Sequence, residues 1–262
     1  MEVTRRKFLE SGIGTLSVVS FSLFKFPGIE WLAAAAEPEP IAEIPVLWMA
    51  TGSCTGCSVA LLNSASPTIQ EALLAEILPG RHLSLGFHAT VMAASGDQAI
   101  DALYEVAGKH KKGYVLVVDG ATATKADGSY CRIGERGHVT VTGYEHVRDL
   151  GRDAMAVLAV GACSAFGGIP AADPNPTGAV PASKLFEKEG ITTPYVNIPG
   201  CPPHPDWIVG TIATLLLGGI DALKLDAHHR PAAFFTELIH DRCPYRGDFD
   251  RGRFARRFGD KG

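Results

Sequence analysis

Four cysteines of this chain follow the ends of short apolar segments. The segments and their cysteines are residues 44–50 with Cys54 and Cys57, residues 154–160 with Cys163, and residues 195–198 with Cys201. Uninterrupted apolar runs of this length are typical of strands that are covered on both faces of a parallel sheet. The carboxyl ends of parallel strands share one edge of an open sheet, where such folds bind ligands. The sequence therefore predicts that these four thiols meet at one site.

Segments with helical spacing separate the apolar runs. We predict helices at 68–78, 96–111, 144–152 and 207–217, and two more strands at 83–87 and 114–118. Strands that alternate with helices indicate an α/β fold with a doubly wound parallel sheet. After about residue 217 the pattern gives way to basic, Gly-rich sequence. We therefore expect one domain over residues 37–217 and the start of a second, irregular domain over residues 218–262.

The first 36 residues have the features of an export signal. Arg5 and Arg6 precede a weakly apolar stretch at 13–26, and four alanines at 33–36 offer a small-residue cleavage site. Paired arginines before a modest apolar stretch are typical of the twin-arginine route, although a plain signal peptide or anchor with two arginines has a similar pattern. The twin-arginine route carries folded proteins. We therefore expect export to the periplasm with the cofactor already inserted.

Four converging thiols leave three kinds of site open. An exported protein with six cysteines could form disulfides, and four thiolates also suit tetrahedral zinc or an iron–sulfur cluster. Structural zinc usually takes two local cysteine pairs, whereas here one pair joins two solitary cysteines. Cysteines that bind metal before export are not available for oxidation. The spacing therefore favours a cluster, and a net charge of -4 gives no reason to expect a nucleic-acid partner.

The motifs around these cysteines, taken in order, resemble the small subunit of nickel–iron hydrogenases. They are Cys54-Thr55-Gly56-Cys57, residues 87–96, residues 117–121, residues 161–168, Pro199-Gly200-Cys201-Pro202-Pro203, and residues 239–244 with 249–250 and 254–255. This resemblance covers essentially the whole chain. The ordered set is much more specific than a single Cys-x-x-Cys motif.

The resemblance implies a flavodoxin-like domain in which Cys54, Cys57, Cys163 and Cys201 ligate a proximal [4Fe–4S] cluster. It implies a heterodimer with a large subunit whose nickel–iron centre interconverts hydrogen with protons and electrons. This chain would pass the electrons to or from a redox partner such as a cytochrome, and it would contribute no catalytic residue of its own.

The resemblance also implies cluster ligands late in the chain, where this sequence departs from the family. His240 and Cys243 would be two of the four ligands of a distal [4Fe–4S] cluster. The family continues with further cysteines that complete this site and supply a medial [3Fe–4S] or [4Fe–4S] cluster. The sequence ends at Gly262, so we expect a C-terminally truncated or fragmentary small subunit.

Two further departures concern the proximal site. Ser53 stands where the family often has Glu, so a proton-transfer role of that Glu does not carry over. Oxygen-tolerant members have two additional cysteines, at positions that are Gly56 and Gly168 here. The sequence therefore predicts an oxygen-sensitive hydrogenase.

Two other functional classes stay open as alternatives. The cluster-bearing subunit of respiratory quinone reductases has a related domain, but it usually has adjacent cysteines and no twin-arginine leader. A non-catalytic exported module held together by disulfides or zinc would contain no iron.

The remaining cysteine and histidines have simpler interpretations. We expect Cys131 to be a free, buried thiol and His88 to satisfy hydrogen bonds near the sheet edge. His204 lies three residues after Cys201 and could contact the surroundings of a cluster. His228-His229 and the basic residues of 246–261 are expected on the solvated surface.

Overall fold

The structure, a computed structural model, describes residues 42–65, 68, 69, 71 and 81–260. The predicted export signal and most of the predicted helix at 68–78 lie outside the described residues. The described residues from Ala42 onwards belong to one compact unit. The division at residue 218 stays a prediction.

Nine strands are present in the described residues, and five of them form a parallel sheet in the order β2-β1-β3-β7-β9. In chain order the strands are β1 (Ala42–Ala50), β2 (Arg81–His88), β3 (Val115–Asp119), β4 (Thr122–Ala123), β5 (Arg132–Arg136), β6 (Val139–Thr142), β7 (Ala156–Val160), β8 (Ala179–Val180) and β9 (Tyr195–Ile198). Counted within the sheet, this is the 2-1-3-4-5 order of flavodoxin-like folds. The predicted parallel α/β fold is confirmed, and β7 begins two residues later than the sequence predicted.

Eight α-helices lie among the described residues. They are α1 (Gly56–Leu62), α2 (Gly96–Lys109), α3 (Gly143–Asp153), α4 (Gly161–Phe166), α5 (Ala182–Glu189), α6 (Pro205–Gly218), α7 (Ala232–Phe235) and α8 (Arg246–Asp250). Helices α1 and α6 pack on one face of the sheet, and α2, α3 and α5 pack on the other. Beyond α6 the described chain consists of turns, a 3₁₀-helix at Ile220–Ala222 and the two short helices α7 and α8.

Alternate residues of each central strand enter different cores, because successive side chains of a strand point to opposite faces. Trp48 packs with Ile208 of α6, and the next residue, Met49, packs with Leu103 of α2 and Val147 of α3. Both faces of the sheet are therefore covered. The carboxyl edge, where the connecting loops lie, is left for a ligand.

A β-hairpin that the sequence analysis did not identify lies between β3 and β7, followed by the helix α3, which was predicted at 144–152. Strands β5 and β6 pair antiparallel around Gly137-His138, both of which have positive φ, as a type I′ turn requires. Thr142 then begins α3 with a capping box, in which its side chain and that of Glu145 satisfy each other's backbone N–H groups.

Among the described residues, every helix is too short or too polar to span a membrane.

A turn at Asp226–Arg230 covers the edge strand β9. The backbone N–H and side-chain amide of Asn197 donate to the carbonyls of His229 and His228, both at 2.8 Å. The two histidine side chains are exposed, as predicted, while their main chain satisfies a sheet edge that would otherwise be free to pair with another strand.

Candidate metal centre

The four predicted cysteines line one cleft at the carboxyl edge of the sheet. The cleft has a volume of about 190 Å³. Its lining residues are Ser53, Cys54, Gly56, Cys57, Asp119, Gly120, Gly161, Ala162, Cys163, Gly200, Cys201 and Pro202. Cys54 and Cys201 are exposed, whereas Cys57 and Cys163 are half-buried. The fold therefore gathers four thiols that are separated by up to 147 residues along the chain.

Two of the cysteines lie on helices and two on loops. Cys57 and Cys163 occupy the first turns of α1 and α4, which begin soon after β1 and directly after β7. The sequence analysis predicted neither helix, because helices of six or seven residues give too short an apolar pattern to recognise.

Backbone hydrogen bonds tie the cysteine-bearing segments to one another. The N–H of Thr51 donates to the carbonyl of Asp119 at 2.8 Å, which fixes the start of the Cys54 loop to the end of β3. The N–H of Ala162 donates to the carbonyl of Gly200 at 2.7 Å, which joins the segments that carry Cys163 and Cys201. The positions of the four thiols are therefore set by the sheet rather than by independent loops.

Two glycines allow the backbone to approach the cysteine sulfurs closely. A Cβ atom added at Gly161 would lie 2.6 Å from Cys57 Sγ, and one added at Gly168 would lie 2.8 Å from Cys163 Sγ. Both glycines also have positive φ, at +91° and +54°. A side chain at either position would therefore collide with a sulfur and strain the backbone.

Asp119 is a residue of the cleft that the sequence analysis did not single out. It is the last residue of β3, and only 1% of its surface is exposed. Ser53 Oγ donates to one carboxylate oxygen at 2.9 Å, and Ser58 Oγ donates to the other at 3.3 Å. An acidic residue at the end of a continuous apolar strand was the available signal, because buried charges are rare without a specific role.

Burial and neighbouring charge keep the two inner thiols protonated while no cation is bound. Burial, and then the charge of Asp119 and a hydrogen bond to it, raise the pKa of the Cys57 thiol far above its usual range. Burial also raises the pKa of the Cys163 thiol, although a hydrogen bond from the backbone of Ile169 opposes this. A bound cation would favour the thiolate forms of these two cysteines, because cysteine binds metal as the thiolate.

The spacing of the thiols bears on which metal group fits. All six cysteines, every one of them within the described residues, are free of disulfides. Within the described ranges, no group of three or more His, Cys, Asp or Glu side chains is arranged to hold a single metal ion. The four thiols are arranged as the lining of a cleft and not as a preformed single-ion site.

The residues with simpler interpretations lie outside the lining of this cleft. Cys131 is half-buried next to β5, and burial raises the pKa of its thiol. His88 is buried at the end of β2, stacks on Trp48, and accepts a hydrogen bond from the backbone of Thr90, as predicted. His204 caps α6 by accepting from the N–H of Asp206.

His240 and Cys243 lie in the turns between α7 and α8, outside the lining of the four-cysteine cleft. The ring of His240 is exposed and contacts the edge of Phe249, with 4.6 Å between the ring centroids. Cys243 is half-buried. The role of this pair as ligands of a second cluster stays a prediction.

Large apolar side chains are exposed on the elements that carry the two inner cysteines. They are Val59 and Leu62 on α1, Phe166 at the end of α4, and Ile169 just beyond it. Ile169 is 83% exposed. Exposed apolar groups that recur on neighbouring elements mark surfaces that contact other proteins.

The chain matches a known family over most of the sheet domain. The profile of the family described as NADH ubiquinone oxidoreductase, 20 Kd subunit, matches residues 54–215. This description is that of the respiratory class considered above as an alternative. The segment matched contains all four cysteines of the cleft.

Relatives that match beyond this segment are hydrogenase subunits. The periplasmic [NiFeSe] hydrogenase small subunit of Desulfomicrobium baculatum is 40% identical over 98% of this chain and 82% of its own length. The quinone-reactive Ni/Fe-hydrogenase small chain of Wolinella succinogenes is 41% identical over 84% of this chain, which spans 58% of that relative. The solved [NiFeSe] hydrogenase from Desulfovibrio vulgaris Hildenborough superposes with a TM-score of 0.75 at 45% identity, covering 84% of this chain and 79% of that one.

Proposed function

The chain belongs to the family of nickel–iron hydrogenase small subunits, and from this premise we propose that it carries electrons for a heterodimeric hydrogenase. The large subunit would hold the nickel–iron centre, where hydrogen is reversibly converted to protons and electrons. This chain would connect that centre with an external acceptor. The observation that carries the proposal is the single cleft lined by Cys54, Cys57, Cys163 and Cys201.

The residues of the cleft fit an iron–sulfur cluster better than zinc. Four thiols are the usual ligand set of a [4Fe–4S] cluster. They surround a cleft of about 190 Å³, which is many times the roughly 10–15 Å³ that a cavity needs to hold one water molecule. Gly161 and Gly168 leave room beside the sulfurs, where a side chain would intrude. We therefore propose that the four cysteines hold the proximal [4Fe–4S] cluster.

A bound [4Fe–4S] cluster would supply one-electron transfer. The residues of this chain would hold its ligands in place. Cys57 and Cys163, on helices that follow the sheet, fix two ligands on a rigid frame. The hydrogen bond from Ala162 to Gly200 holds the segments of Cys163 and Cys201 together. A rigid frame keeps the ligand geometry nearly constant when the charge of the site changes, which favours fast electron transfer.

We propose that the exposed apolar residues on α1 and around α4 contact the large subunit. Their position on the helices of Cys57 and Cys163 would place the partner next to the proximal cluster. Burial of such side chains contributes about 25 cal/mol per Å² of apolar area removed from water. A partner on this surface would also shield the two exposed cysteines, Cys54 and Cys201, from solvent.

We propose that residues 1–36 direct export to the periplasm by the twin-arginine route. Arg5 and Arg6 carry this proposal, and a relative that is 40% identical is itself named as periplasmic. His240 and Cys243 are proposed as two ligands of a distal [4Fe–4S] cluster. A medial cluster and a cytochrome as electron acceptor likewise belong to the proposal.

Co-expression of the full chain with a hydrogenase large subunit under anaerobic conditions tests the function. We expect a purified heterodimer that contains iron and sulfide and reduces an artificial dye with hydrogen. The matched control complex carries Cys163→Ala, which removes one proposed ligand. A wild-type complex without iron, or one with zinc in its place, would contradict the proposal.

A respiratory quinone-reductase function gives a different result in the same experiment. An iron-containing chain that does not pair with a hydrogenase large subunit and supports no hydrogen-dependent dye reduction would favour that alternative.

A further inference from the structure

We infer that Asp119 is a positioning residue of the cysteine cleft, because its carboxylate fixes the loop of Cys54 and Cys57 through two serines and keeps a negative charge beside Cys57. This inference rests on the proposed function, since its consequence is a lower reduction potential of the proximal cluster. Asp119 itself is not a ligand in this arrangement.

The two serines bracket the cysteine pair. Ser53 directly precedes Cys54, and Ser58 directly follows Cys57. Each serine hydroxyl donates to a different oxygen of the same carboxylate, Ser53 at 2.9 Å and Ser58 at 3.3 Å. Asp119 therefore holds both ends of the segment that carries two of the four thiols.

Asp119 cannot move away from this segment without disrupting the sheet. Its carbonyl accepts from the N–H of Thr51 at 2.8 Å and from the hydroxyl of Thr51 at 3.2 Å. At the next residue, a Cβ atom on Gly120 would lie 2.6 Å from the carbonyl carbon of Gly52. The two chain segments are thus in direct contact, and the carboxylate is held rigidly against the cysteine loop.

The charge of Asp119 is not neutralised by a cation in the described part of the chain. The two serine hydroxyls donate to its carboxylate, and its charge acts on the thiol of Cys57 and on the buried ring of His88. Asp119 is 1% exposed, so water screens its charge weakly. A fixed negative charge next to a cluster opposes the addition of an electron, and the potential therefore falls.

Asp119→Asn in the anaerobically purified heterodimer separates the charge from the shape of the side chain. We expect iron and sulfide contents equal to those of the wild-type complex. The midpoint potential of the proximal cluster, measured by redox titration with electron paramagnetic resonance, should rise by about 59 mV or more, which is a tenfold change in a one-electron equilibrium. Asp101→Asn, an exposed acid on α2, is the control and should leave the potential unchanged.

A second variant tests the positioning role independently. Ser53→Ala with Ser58→Ala keeps the carboxylate but removes both of its hydroxyl partners, so we expect a chelator to release iron several-fold faster, with no rise in potential. An unchanged release rate would overturn the inference, and so would an unchanged potential in an iron-containing D119N complex. A wild-type complex that lacks iron would instead overturn the proposed function.

Discussion

The backbone of Gly161 passes so close to the thiol of Cys57 that a Cβ atom at position 161 would lie 2.6 Å from Sγ. Gly161 follows β7 directly, while Cys57 lies in the first turn of α1, 104 residues earlier in the chain. Real Cβ atoms do not approach a sulfur this closely. The absence of a side chain at residue 161 is therefore part of how the fold makes room for four thiols.

Gly161→Ala should reduce the iron content of the complex and lower its stability. The positive φ of +91° strains any non-glycine residue by about 1–2 kcal/mol, and the collision with Cys57 displaces a proposed ligand as well. Gly219→Ala is the matched control, since Gly219 has a φ of +70° but no atom within 4 Å of an added Cβ. Iron analysis and urea unfolding should show that both variants lose stability, whereas G161A alone loses iron. Equal iron contents would refute the steric argument.

Alanine at Cys54, Cys57, Cys163 or Cys201 should prevent assembly of the proximal cluster. Each of the four thiols lines the cleft, so the removal of any one leaves three ligands. Cys131→Ala tests whether a cysteine outside the cleft lining matters, and it should retain the full iron content. Iron and acid-labile sulfide per complex are the measurements. Iron loss in C131A would mean that the ligand set is wrong.

Ile169→Glu should weaken pairing with the large subunit without destabilising this chain. Ile169 is 83% exposed, so a charged side chain there should change the stability of the free subunit little. At the proposed interface the same charge would be buried without an oppositely charged group to pair with. Val139→Glu, at a residue on β6 that is 67% exposed, is the control. Co-purification with the large subunit should fall for I169E only. A similar loss in both variants would place the interface elsewhere.

His146 should make the stability of the chain depend on pH. Its Nε2 donates to the carbonyl of Ile133 at 2.8 Å, and its Nδ1 shares a hydrogen bond of 3.1 Å with the hydroxyl of Tyr104. Burial lowers the pKa of His146, although the bond to Ile133 and the charges of Glu145 and Asp149 oppose this.

The direction of this dependence follows from the lowered pKa. Unfolded histidine binds a proton near pH 6.5, whereas folded His146 does so only at lower pH, so stability falls as the pH drops below about 6.5. One such group contributes at most about 1.4 kcal/mol per pH unit. His146→Gln keeps one donor and one acceptor but does not titrate, and urea unfolding should show a shallower dependence. A residual slope is expected from His88, whose pKa burial also lowers.

Asp226→Ala should destabilise the turn that covers β9. The carboxylate accepts from the side chain of Arg230 at 2.7 Å and from the backbone N–H groups of His228 and Arg230, both at 2.9 Å. Burial of this carboxylate is unfavourable, but these bonds outweigh it and lower the pKa of Asp226 to about 2. Loss of charge-assisted bonds of this kind costs about 1–3 kcal/mol.

The stabilisation by Asp226 has its own pH range. Because the folded pKa lies below the unfolded value, the contribution is present above about pH 4 and is lost as the pH falls toward 2. Asp221→Ala, at an exposed residue of the 3₁₀-helix Ile220–Ala222, is the control. Unfolding free energies at neutral pH should fall for D226A and remain unchanged for D221A. Equal values for the two variants would show that the turn does not depend on this carboxylate.

The sequence by itself determined the sheet and the cysteines at its edge. Buried parallel strands such as β3 and β7 are nearly continuous runs of apolar residues, so they were recognisable without a structure. Once the strands were assigned, their shared carboxyl edge placed Cys54, Cys57, Cys163 and Cys201 close together.

Only the tertiary structure decided what surrounds these thiols. The hydrogen bonds of Asp119 to Ser53 and Ser58 and the proximity of Gly161 to Cys57 join residues that are distant in sequence and have no common local pattern. Local periodicity indicates which face of an element is buried, because apolar residues recur along the chain at the spacing of that face. The contacts that shape the cleft depend on how separate loops meet, and that is set by the packing of the whole sheet.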